Sequence, residues 1–345
     1  MPLRPVGRAR RRRRSRRVEV IITALVILLV GLGARAAAWP SWGVKPPVAA
    51  GEAQSTVPAS VRPAPAGGQP APPSFSFARF EADPALVAGA ASAGVPNLSG
   101  DSAIVVDVTG GEVLYAKQAR KRQRMASTAK IMTGIVAVER SPLDKVITVP
   151  EAATEVEPNH MGLKAGEKLT LQELLYGLFL DSGNDAAEAI AYGVGGGAAA
   201  GRAQFITWMN EKAVALGLSD TRFANPSGLD DPNQYSTAYD LAVMGAYALG
   251  KPELRQIFGA KEIVIPPSKE PGREHGWFNP GNLNSLLWTY RGAVGIKPGY
   301  TEDAGYTLVG AAERDGRTLV CVTLNSRRHF SDCTQLLDFG FTRLQ

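Results

Sequence analysis

The segment Met125-Ala-Ser-Thr-Ala-Lys-Ile-Met-Thr133 contains an S-x-x-K pair, Ser127 and Lys130. Residues three apart on a helix lie on the same face, so we expect the Lys130 amine beside the Ser127 hydroxyl. A serine needs a base within hydrogen-bond reach to act as a nucleophile. A lysine can be that base when burial or a second cation lowers its pKa. The pair alone is weak, because an exposed helical lysine gives the same pattern by chance.

Two further fragments follow in order along the chain, Ser182-Gly183-Asn184 and Lys297-Pro298-Gly299. Taken singly, each has an ordinary explanation. Serine, glycine and asparagine often separate two helices, and a lone lysine is usually a surface residue. Three such fragments in this order are much harder to obtain by accident. The sequence therefore predicts a serine-nucleophile site assembled from all three.

Composition narrows the class of protein. The chain has 345 residues, 45% of them hydrophobic, which is enough for a large core in one or two domains. Its net charge is +6, but nine arginines lie in the first seventeen residues, and 6 − 9 = −3 for the rest. The folded part is therefore mildly acidic, which argues against nucleic-acid binding.

Histidine and cysteine usage argues against a metallopeptidase. The three histidines (160, 275 and 329) lack an H-E-x-x-H spacing, and no cysteine pair has metal-ligand spacing. We therefore expect no metal and no cofactor. The two cysteines, Cys321 and Cys333, could form a disulfide in an oxidising compartment or remain two buried thiols; their spacing does not decide between these.

The N-terminal region predicts export. We divide it into a basic cytoplasmic head (1–19), a signal or membrane anchor (20–38) and a proline-rich spacer (39–76). The apolar run 20–34 follows the arginines, as in a cleaved signal or an anchor, and Ala34-Arg35-Ala36 fits a cleavage site. The nine prolines of the spacer favour an anchored protein on a tether. Since the sequence ends at Gln345 directly after its last predicted helix, we expect any tether to be N-terminal.

The catalytic domain is predicted over 77–345, with strands at both ends and helices between them. Thr170-Leu-Gln-Glu173 is a capping box that opens a helix over 171–180, so Ser182 should lie on an interhelical loop. Strands are predicted at 103–108, 112–116, 292–300, 306–312 and 319–324, and helices from about 127 and at 171–180, 185–191, 202–216, 236–249 and 331–339. The fold class is therefore α+β, with one antiparallel sheet built from both ends of the domain and a helical region.

The fragments and their contexts resemble the D-alanyl-D-alanine carboxypeptidases, which are low-molecular-mass penicillin-binding proteins of the β-lactamase/transpeptidase-like fold. The resemblance runs from about Ser102 to the C-terminus. Its supporting segments are 125–133, 174–187, Phe223-Ala-Asn-Pro-Ser-Gly-Leu-Asp-Asp-Pro-Asn-Gln-Tyr-Ser-Thr-Ala-Tyr-Asp240 and Gly295-Ile-Lys-Pro-Gly-Tyr-Thr-Glu-Asp-Ala-Gly-Tyr306. It implies peptidoglycan stem peptides as substrates and β-lactams as inhibitors.

The resemblance also implies a role for each residue. Ser127 would be the nucleophile, Lys130 its base and Ser182 the relay that carries a proton to the leaving amine. The substrate-binding residues would be Asn184, Lys297, Gly299 and Tyr300, with the N–H groups of Ser127 and Tyr300 as the oxyanion hole. The segment 225–229 is interpreted as a structural turn rather than a contact.

One departure keeps alternatives open. The family's third fragment is normally Lys-Thr-Gly, and Pro298 removes both the threonine hydroxyl and a backbone donor. A slow carboxypeptidase, an endopeptidase or transpeptidase on the same fold, or a weakened paralogue that binds muropeptides are all compatible. A β-lactamase would need a carboxylate base, commonly in an E-x-x-L-N context between the second and third fragments, and none is present there.

Overall fold

The computed structural model describes residues 97–345, in which the strands form two sheets. The large sheet has five strands, all antiparallel, and a small hairpin has two. The strands are β1 (Ser102–Asp107), β2 (Glu112–Lys117), β3 (Val146–Thr148), β4 (Lys168–Thr170), β5 (Ala293–Thr301), β6 (Gly305–Arg314) and β7 (Arg317–Ser326).

The helices lie mostly between the two groups of strands. They are α1 (Lys130–Arg140), α2 (Glu151–Thr154), α3 (Leu171–Phe179), α4 (Asn184–Gly195), α5 (Ala199–Ala215), α6 (Ala238–Leu249), α7 (Pro252–Gly259), α8 (Leu286–Thr289) and α9 (His329–Arg343). A 3-10 turn, Ala126–Ala129, leads directly into α1.

The large sheet joins the two ends of the domain. Its strand order is β2-β1-β7-β6-β5, so the N-terminal hairpin pairs with the last strand of the C-terminal meander. This confirms the predicted α+β class and the predicted sheet. It also leaves β5, which carries the third sequence fragment, at an open edge.

The alternation of side chains along a strand explains why the sheet is covered on both faces. In β1, Ile104 and Val106 belong to the large core shared with the helical region, whereas Ala103 and Val105 belong to a second core under α9. Because β1 faces a core on both sides, all six of its residues are buried. A strand so covered is a near-continuous apolar run, as its sequence shows.

Helix α3 begins as its capping box predicts. The Thr170 hydroxyl accepts a hydrogen bond from the Glu173 N–H at 3.3 Å, and the Glu173 carboxylate accepts one from the Thr170 N–H at 2.7 Å. The helix ends at Phe179, so the segment 180–183 is the interhelical loop that the sequence predicted. Its position fixes Ser182 beside the start of α4.

Several details differ from the prediction. The helix expected from about Ser127 is a 3-10 turn at that residue, and regular α-helix begins only at Lys130. The hairpin of β3 and β4 and the helices α2, α7 and α8 were not predicted. Pro252 at the first position of α7 is nevertheless a recognised start signal. The head, the signal or anchor, the spacer and residues 77–96 lie outside the described residues.

Two further predictions concern the cysteines and the membrane. Cys321 on β7 and Cys333 on α9 are both fully buried free thiols, which is the second of the two arrangements that the sequence allowed. Burial raises the pKa of the Cys333 thiol. Over residues 97–345, no helix has both the length and the apolar composition that a membrane span requires.

Candidate active site

The S-x-x-K pair has the geometry that its spacing predicts. Ser127 lies in the 3-10 turn and Lys130 begins α1, so the lysine amine is one turn from the hydroxyl. The Lys130 Nζ donates a hydrogen bond to the Ser127 Oγ at 3.0 Å. Just before the serine, Ala126 has a φ of +48°, a left-handed conformation that a non-glycine residue adopts only when its surroundings impose it.

Lys130 is fully buried and is held from three sides. Besides Ser127, its amine donates to the Asn184 Oδ1 and to the Ser227 carbonyl oxygen, each at 2.6 Å. Burial lowers the pKa of Lys130 well below its usual value, and the Lys297 charge lowers it further, against the opposing effect of Asp185 and Glu188. An amine with a lowered pKa can be neutral at physiological pH and can accept a proton.

Lys297 is a buried residue, so the ordinary explanation of a lone lysine as a surface residue does not hold for it. It lies on β5 with 0% exposure, and burial lowers its pKa to about 7, while Asp181 acts to raise it. Its amine donates to the Pro298 carbonyl oxygen at 3.1 Å. From behind the cleft wall, it contributes positive potential when protonated.

The fragments meet around one cleft of about 400 Å³. Ser127, Ser182, Asn184, Gly299 and Tyr300 line it, whereas Lys130 and Lys297 lie behind its walls. The remaining lining residues are Pro158, Asn159, Gly228, Leu229, Leu283, Pro298, Thr301, Tyr306, His329 and Phe330. Ser182 has a φ of +61°, so the loop that presents it to the cleft is held in a left-handed conformation.

The open edge of β5 forms one wall of this cleft. The N–H and C=O of a strand residue point to the same side, and those of successive residues to opposite sides. A proline within a sheet lies on an edge strand with its nitrogen on the unpaired side, so we infer that the nitrogen of Pro298, on the edge strand β5, faces away from β6. The proline therefore breaks no ladder bond, and the N–H of Tyr300, two residues later, points to the same open side.

Two glycines allow the serine to sit close to its neighbours. A Cβ on Gly299 would lie 2.8 Å from the Ser127 nitrogen, and one on Gly228 would lie 2.0 Å from the Ala126 carbonyl oxygen. Gly228 also has a φ of +91°. Both positions therefore exclude larger residues, because a side chain at either one would collide with the backbone at Ala126 or Ser127.

The sequence did not single out Asp185, which organises one wall of the cleft. Its carboxylate is 2% exposed and accepts from the backbone N–H groups of Met161, Gly162 and Leu163 at 2.8, 2.9 and 3.0 Å. The same segment, 157–163, supplies the carbonyl oxygens of Glu157 and Pro158, which accept from the Asn184 Nδ2 at 2.7 and 3.1 Å. Asp185 adjoins Asn184 in sequence, which is the one signal that could have found it.

The segment 225–229 is both a turn and a contact, so its interpretation as structural alone was incomplete. The Asn225 Oδ1 accepts from the Gly228 N–H at 2.8 Å and closes the turn. The turn points the Ser227 carbonyl oxygen at Lys130 and places Leu229 in the cleft wall. Among the described residues, no group of three or more His, Cys, Asp or Glu side chains is arranged to hold a metal ion.

Comparison with known proteins identifies the family. A family model described as D-alanyl-D-alanine carboxypeptidase matches residues 89–328, which is more than half of the chain. This chain belongs to the D-alanyl-D-alanine carboxypeptidase family. Members of this family are serine peptidases, in agreement with the serine and lysine at the centre of the cleft.

Curated relatives agree with the family assignment. The D-alanyl-D-alanine carboxypeptidase DacB2 of Mycobacterium tuberculosis is 34% identical over 260 residues, or 73% of this chain and 86% of that protein. The enzyme of Streptomyces sp. strain K15 is 36% identical over 67% of this chain and 83% of its own length. DacF of Bacillus subtilis is 31% identical, and the match covers only 62% of that longer protein.

Solved structures share the fold. The crystal structure of the Streptomyces K15 DD-transpeptidase is 33% identical with a TM-score of 0.68, covering 72% of this chain and 99% of that one. A penicillin-binding protein homologue from Mycobacterium tuberculosis is 34% identical with a TM-score of 0.67, covering 74% of this chain and 95% of that one. The fold is therefore that of the penicillin-binding DD-peptidases.

Proposed function

We propose that this protein is a serine-type D-Ala-D-Ala carboxypeptidase that trims the stem pentapeptides of peptidoglycan through an acyl-enzyme on Ser127. The observation that carries the proposal is a fully buried lysine amine 3.0 Å from a serine hydroxyl that lines an open cleft. Burial and the Lys297 charge favour the neutral form of that amine. In that form its two hydrogens can stay on Asn184 and Ser227 while its lone pair accepts from the Ser127 hydroxyl, as a general base requires.

In the acylation step, the Ser127 Oγ attacks the carbonyl carbon of the penultimate D-Ala, and its proton passes to the Lys130 Nζ. The carbon–nitrogen bond to the terminal D-Ala then breaks. The leaving amine takes a proton that Lys130 releases through the Ser182 hydroxyl, which lines the same cleft. Asn184 holds Lys130 through its Oδ1 during these transfers.

Two features of the cleft suit the charges of this reaction. The N–H of Tyr300 points to the open side of β5, and together with the N–H of Ser127 it can donate to the oxyanion that forms on the substrate carbonyl. The protonated Lys297 attracts the terminal carboxylate electrostatically from behind the wall. The Asp181 carboxylate acts to raise the pKa of Lys297 and so favours that protonated form.

Slow loss of a penicillin adduct is expected from the same cleft. Hydrolysis of a stable acyl-enzyme by a β-lactamase needs a carboxylate to activate water, and none of the described residues that line this cleft is a carboxylate. We therefore expect β-lactams to act as inhibitors with a persistent covalent adduct. This distinguishes the proposal from a β-lactamase.

A transpeptidase is the second candidate, because the similar Streptomyces K15 structure is described as a DD-transpeptidase. In that reaction an acceptor amine, rather than water, attacks the acyl-enzyme. The third candidate is a protein with weakened catalysis that binds muropeptides, and Pro298 is the residue that suggests it. The carboxypeptidase and the transpeptidase share the acylation step and differ in whether water or an amine removes the acyl group. The binding protein would keep the cleft without turnover.

The experiment combines covalent labelling with product analysis. The purified protein is incubated with a fluorescent penicillin and, separately, with a pentapeptide muropeptide in the presence and absence of an acceptor amine. A stable label with free D-Ala supports the carboxypeptidase, and amine-containing products support the transpeptidase. A rapidly lost label indicates a β-lactamase, and muropeptide binding without label or product indicates a binding protein. Lys130→Ala should label nearly as poorly as Ser127→Ala, since a serine without its base reacts slowly.

We also propose that the protein acts outside the cytoplasmic membrane and stays attached through its N-terminal segment. The arginine-rich head, the apolar run and the proline-rich spacer support this arrangement. The mass of the mature protein from membranes distinguishes the two forms of export. A full-length mass supports the anchor, and a chain that begins near Ala37 or Trp39 would show a cleaved signal.

A further inference from the structure

An aromatic patch continues the cleft past the edge of β5. We define it as Pro298, Tyr300, Tyr306, His329 and Phe330, all of which line the same cleft as Ser127. The ring centroids of Tyr300 and Tyr306 are 4.6 Å apart, those of Tyr306 and His329 are 4.8 Å apart, and those of His329 and Phe330 are 4.1 Å apart. The four rings therefore form one continuous row of contacts, in which Tyr306 and His329 are stacked and the two outer pairs are tilted by 40° and 41°.

The register of the sheet places this patch on the face opposite the two lysines. Residues paired across two strands have side chains on the same face, and Pro298 pairs with Leu308 while Tyr300 pairs with Tyr306. Leu308 belongs to the core under α9. Lys297 instead pairs with Val309, which belongs to the core of the helical region. The cleft therefore wraps around the edge of β5, with reactive groups on one side and aromatic rings on the other.

The rings of the patch are packed on one another, uncharged and open to solvent. Tyr306 is packed between Tyr300 and the His329 ring, which is nearly parallel to it at an interplanar angle of 5°. Tyr300 and Tyr306 are nevertheless 54% and 46% exposed. Burial lowers the pKa of His329, which favours its neutral form. Exposed aromatic rings that are held in place by other rings offer contact area with little loss of side-chain entropy on binding.

An extended ligand that lies along the open edge of β5 has its alternate side groups directed to the two faces of the sheet. One set faces Ser127 and the other faces the aromatic patch. We propose that the aromatic patch is a binding subsite for an uncharged apolar group, a flat ring above all, carried by the substrate or inhibitor that acylates Ser127. This inference rests on the proposed function. It also assigns Pro298 a role as part of an apolar surface, in addition to the loss of the threonine hydroxyl.

The test compares two penicillins that differ only in an aromatic ring, benzylpenicillin and 6-acetamidopenicillanic acid. The second-order acylation rate constant is measured for each penicillin with the wild-type protein and with its Tyr306→Ala, Tyr306→Phe and Trp277→Ala variants. Trp277 is a matched control because it is 61% exposed and is not among the residues that line the cleft. Circular dichroism and the Tm establish that each variant is folded.

We expect the wild type to prefer benzylpenicillin by about tenfold, which corresponds to about 1.4 kcal/mol. Tyr306→Ala should reduce this ratio to about two by releasing Tyr300, whereas Tyr306→Phe and Trp277→Ala should retain it. A wild-type ratio near one, or an unchanged ratio in Tyr306→Ala, would overturn the proposal. So would an equal loss of rate with both penicillins, because that result means a general effect on catalysis.

The subsite can also be tested without any chemistry. In the Ser127→Ala background, the Kd of each penicillin is measured by NMR titration. We expect benzylpenicillin to bind about tenfold more tightly than 6-acetamidopenicillanic acid, and we expect this ratio of Kd values to fall to about two when Tyr306→Ala is added. If the wild type is acylated by neither penicillin, the proposed function fails while this binding ratio still decides the subsite. Equal Kd values for the two penicillins would overturn the subsite even if acylation of Ser127 is normal.

Discussion

Substitution of Asp185 by asparagine should loosen a wall of the active site without removing any reacting group. The carboxylate accepts four backbone hydrogen bonds, two on each oxygen: Met161 and Ala186 on Oδ1, Gly162 and Leu163 on Oδ2. An asparagine keeps one acceptor oxygen, and its amide nitrogen faces the other two donors. At about 1.5 kcal/mol for each hydrogen bond to a charged group, we expect a loss of about 3 kcal/mol of unfolding free energy. For a domain of this size, that is a fall in Tm of roughly 6–12 °C.

Activity should fall as well, because the loosened segment 157–163 holds Asn184, and Asn184 holds Lys130. We expect the rate constant for acylation by a fluorescent penicillin to fall at least about tenfold, equivalent to about 1.4 kcal/mol of transition-state free energy. Unfolding is followed by urea titration, and acylation is followed by the appearance of label at a temperature where the variant is folded.

Asp332→Ala is the matched control. Asp332 is another fully buried carboxylate, and it accepts from the backbone N–H groups of Ser99 and Gly100 at 2.9 and 3.0 Å on a segment outside the cleft. The same carboxylate oxygen also accepts from the hydroxyls of Ser99 and Ser326 at 2.7 and 2.8 Å, so its loss should cost at least about 3 kcal/mol of unfolding free energy. Acylation should nevertheless stay within about twofold. The reasoning is refuted if Asp185→Asn keeps both its stability and its acylation rate, or if the two variants lose acylation equally.

Three further substitutions or conditions test other parts of the site. Pro298→Thr should raise kcat/KM for a D-Ala-D-Ala peptide by roughly tenfold if a hydroxyl regains a bond to the carboxylate; an unchanged value in a folded variant would make the proline structural. Since the pKa of Lys297 is lowered to about 7, its charge is lost as the pH rises through that value, and kcat/KM should fall; a flat profile to pH 9 would contradict this. Gly228→Ala should abolish labelling, because the new Cβ would lie 2.0 Å from the Ala126 oxygen, whereas Gly272→Ala, with a similar φ of +86° but open space around it, should label normally.

Local patterns predicted most of this fold. The alternating strands, the capping box at Thr170 and the interhelical position of Ser182 each follow from residues within a few positions of one another, and each is confirmed. The sheet built from both ends followed from the order of elements. The helix α7 was missed although Pro252 marks its start, because eight residues give little periodicity.

The features of the site that depend on contacts between residues far apart in sequence could not be predicted from local patterns. The burial of Lys297 arises from packing between β5 and the helical region, and no local pattern distinguishes it from a surface lysine. The aromatic patch combines the end of β5, the start of β6 and the start of α9, which are brought together only by the sheet. The hydrogen bonds from residues 161–163 to Asp185 join positions 22 to 24 apart in sequence, so only the place of Asp185 beside Asn184 hinted at its role.

The most direct test of the central claim is the location of the covalent penicillin adduct. The protein is treated with benzylpenicillin, its intact mass is measured, and the modified residue is mapped by peptide mass spectrometry. We predict one adduct per chain, on Ser127, and none in a Ser127→Ala variant whose Tm is unchanged. An adduct on any other residue, or labelling of Ser127→Ala at the wild-type rate, would contradict the assignment of Ser127 as the nucleophile.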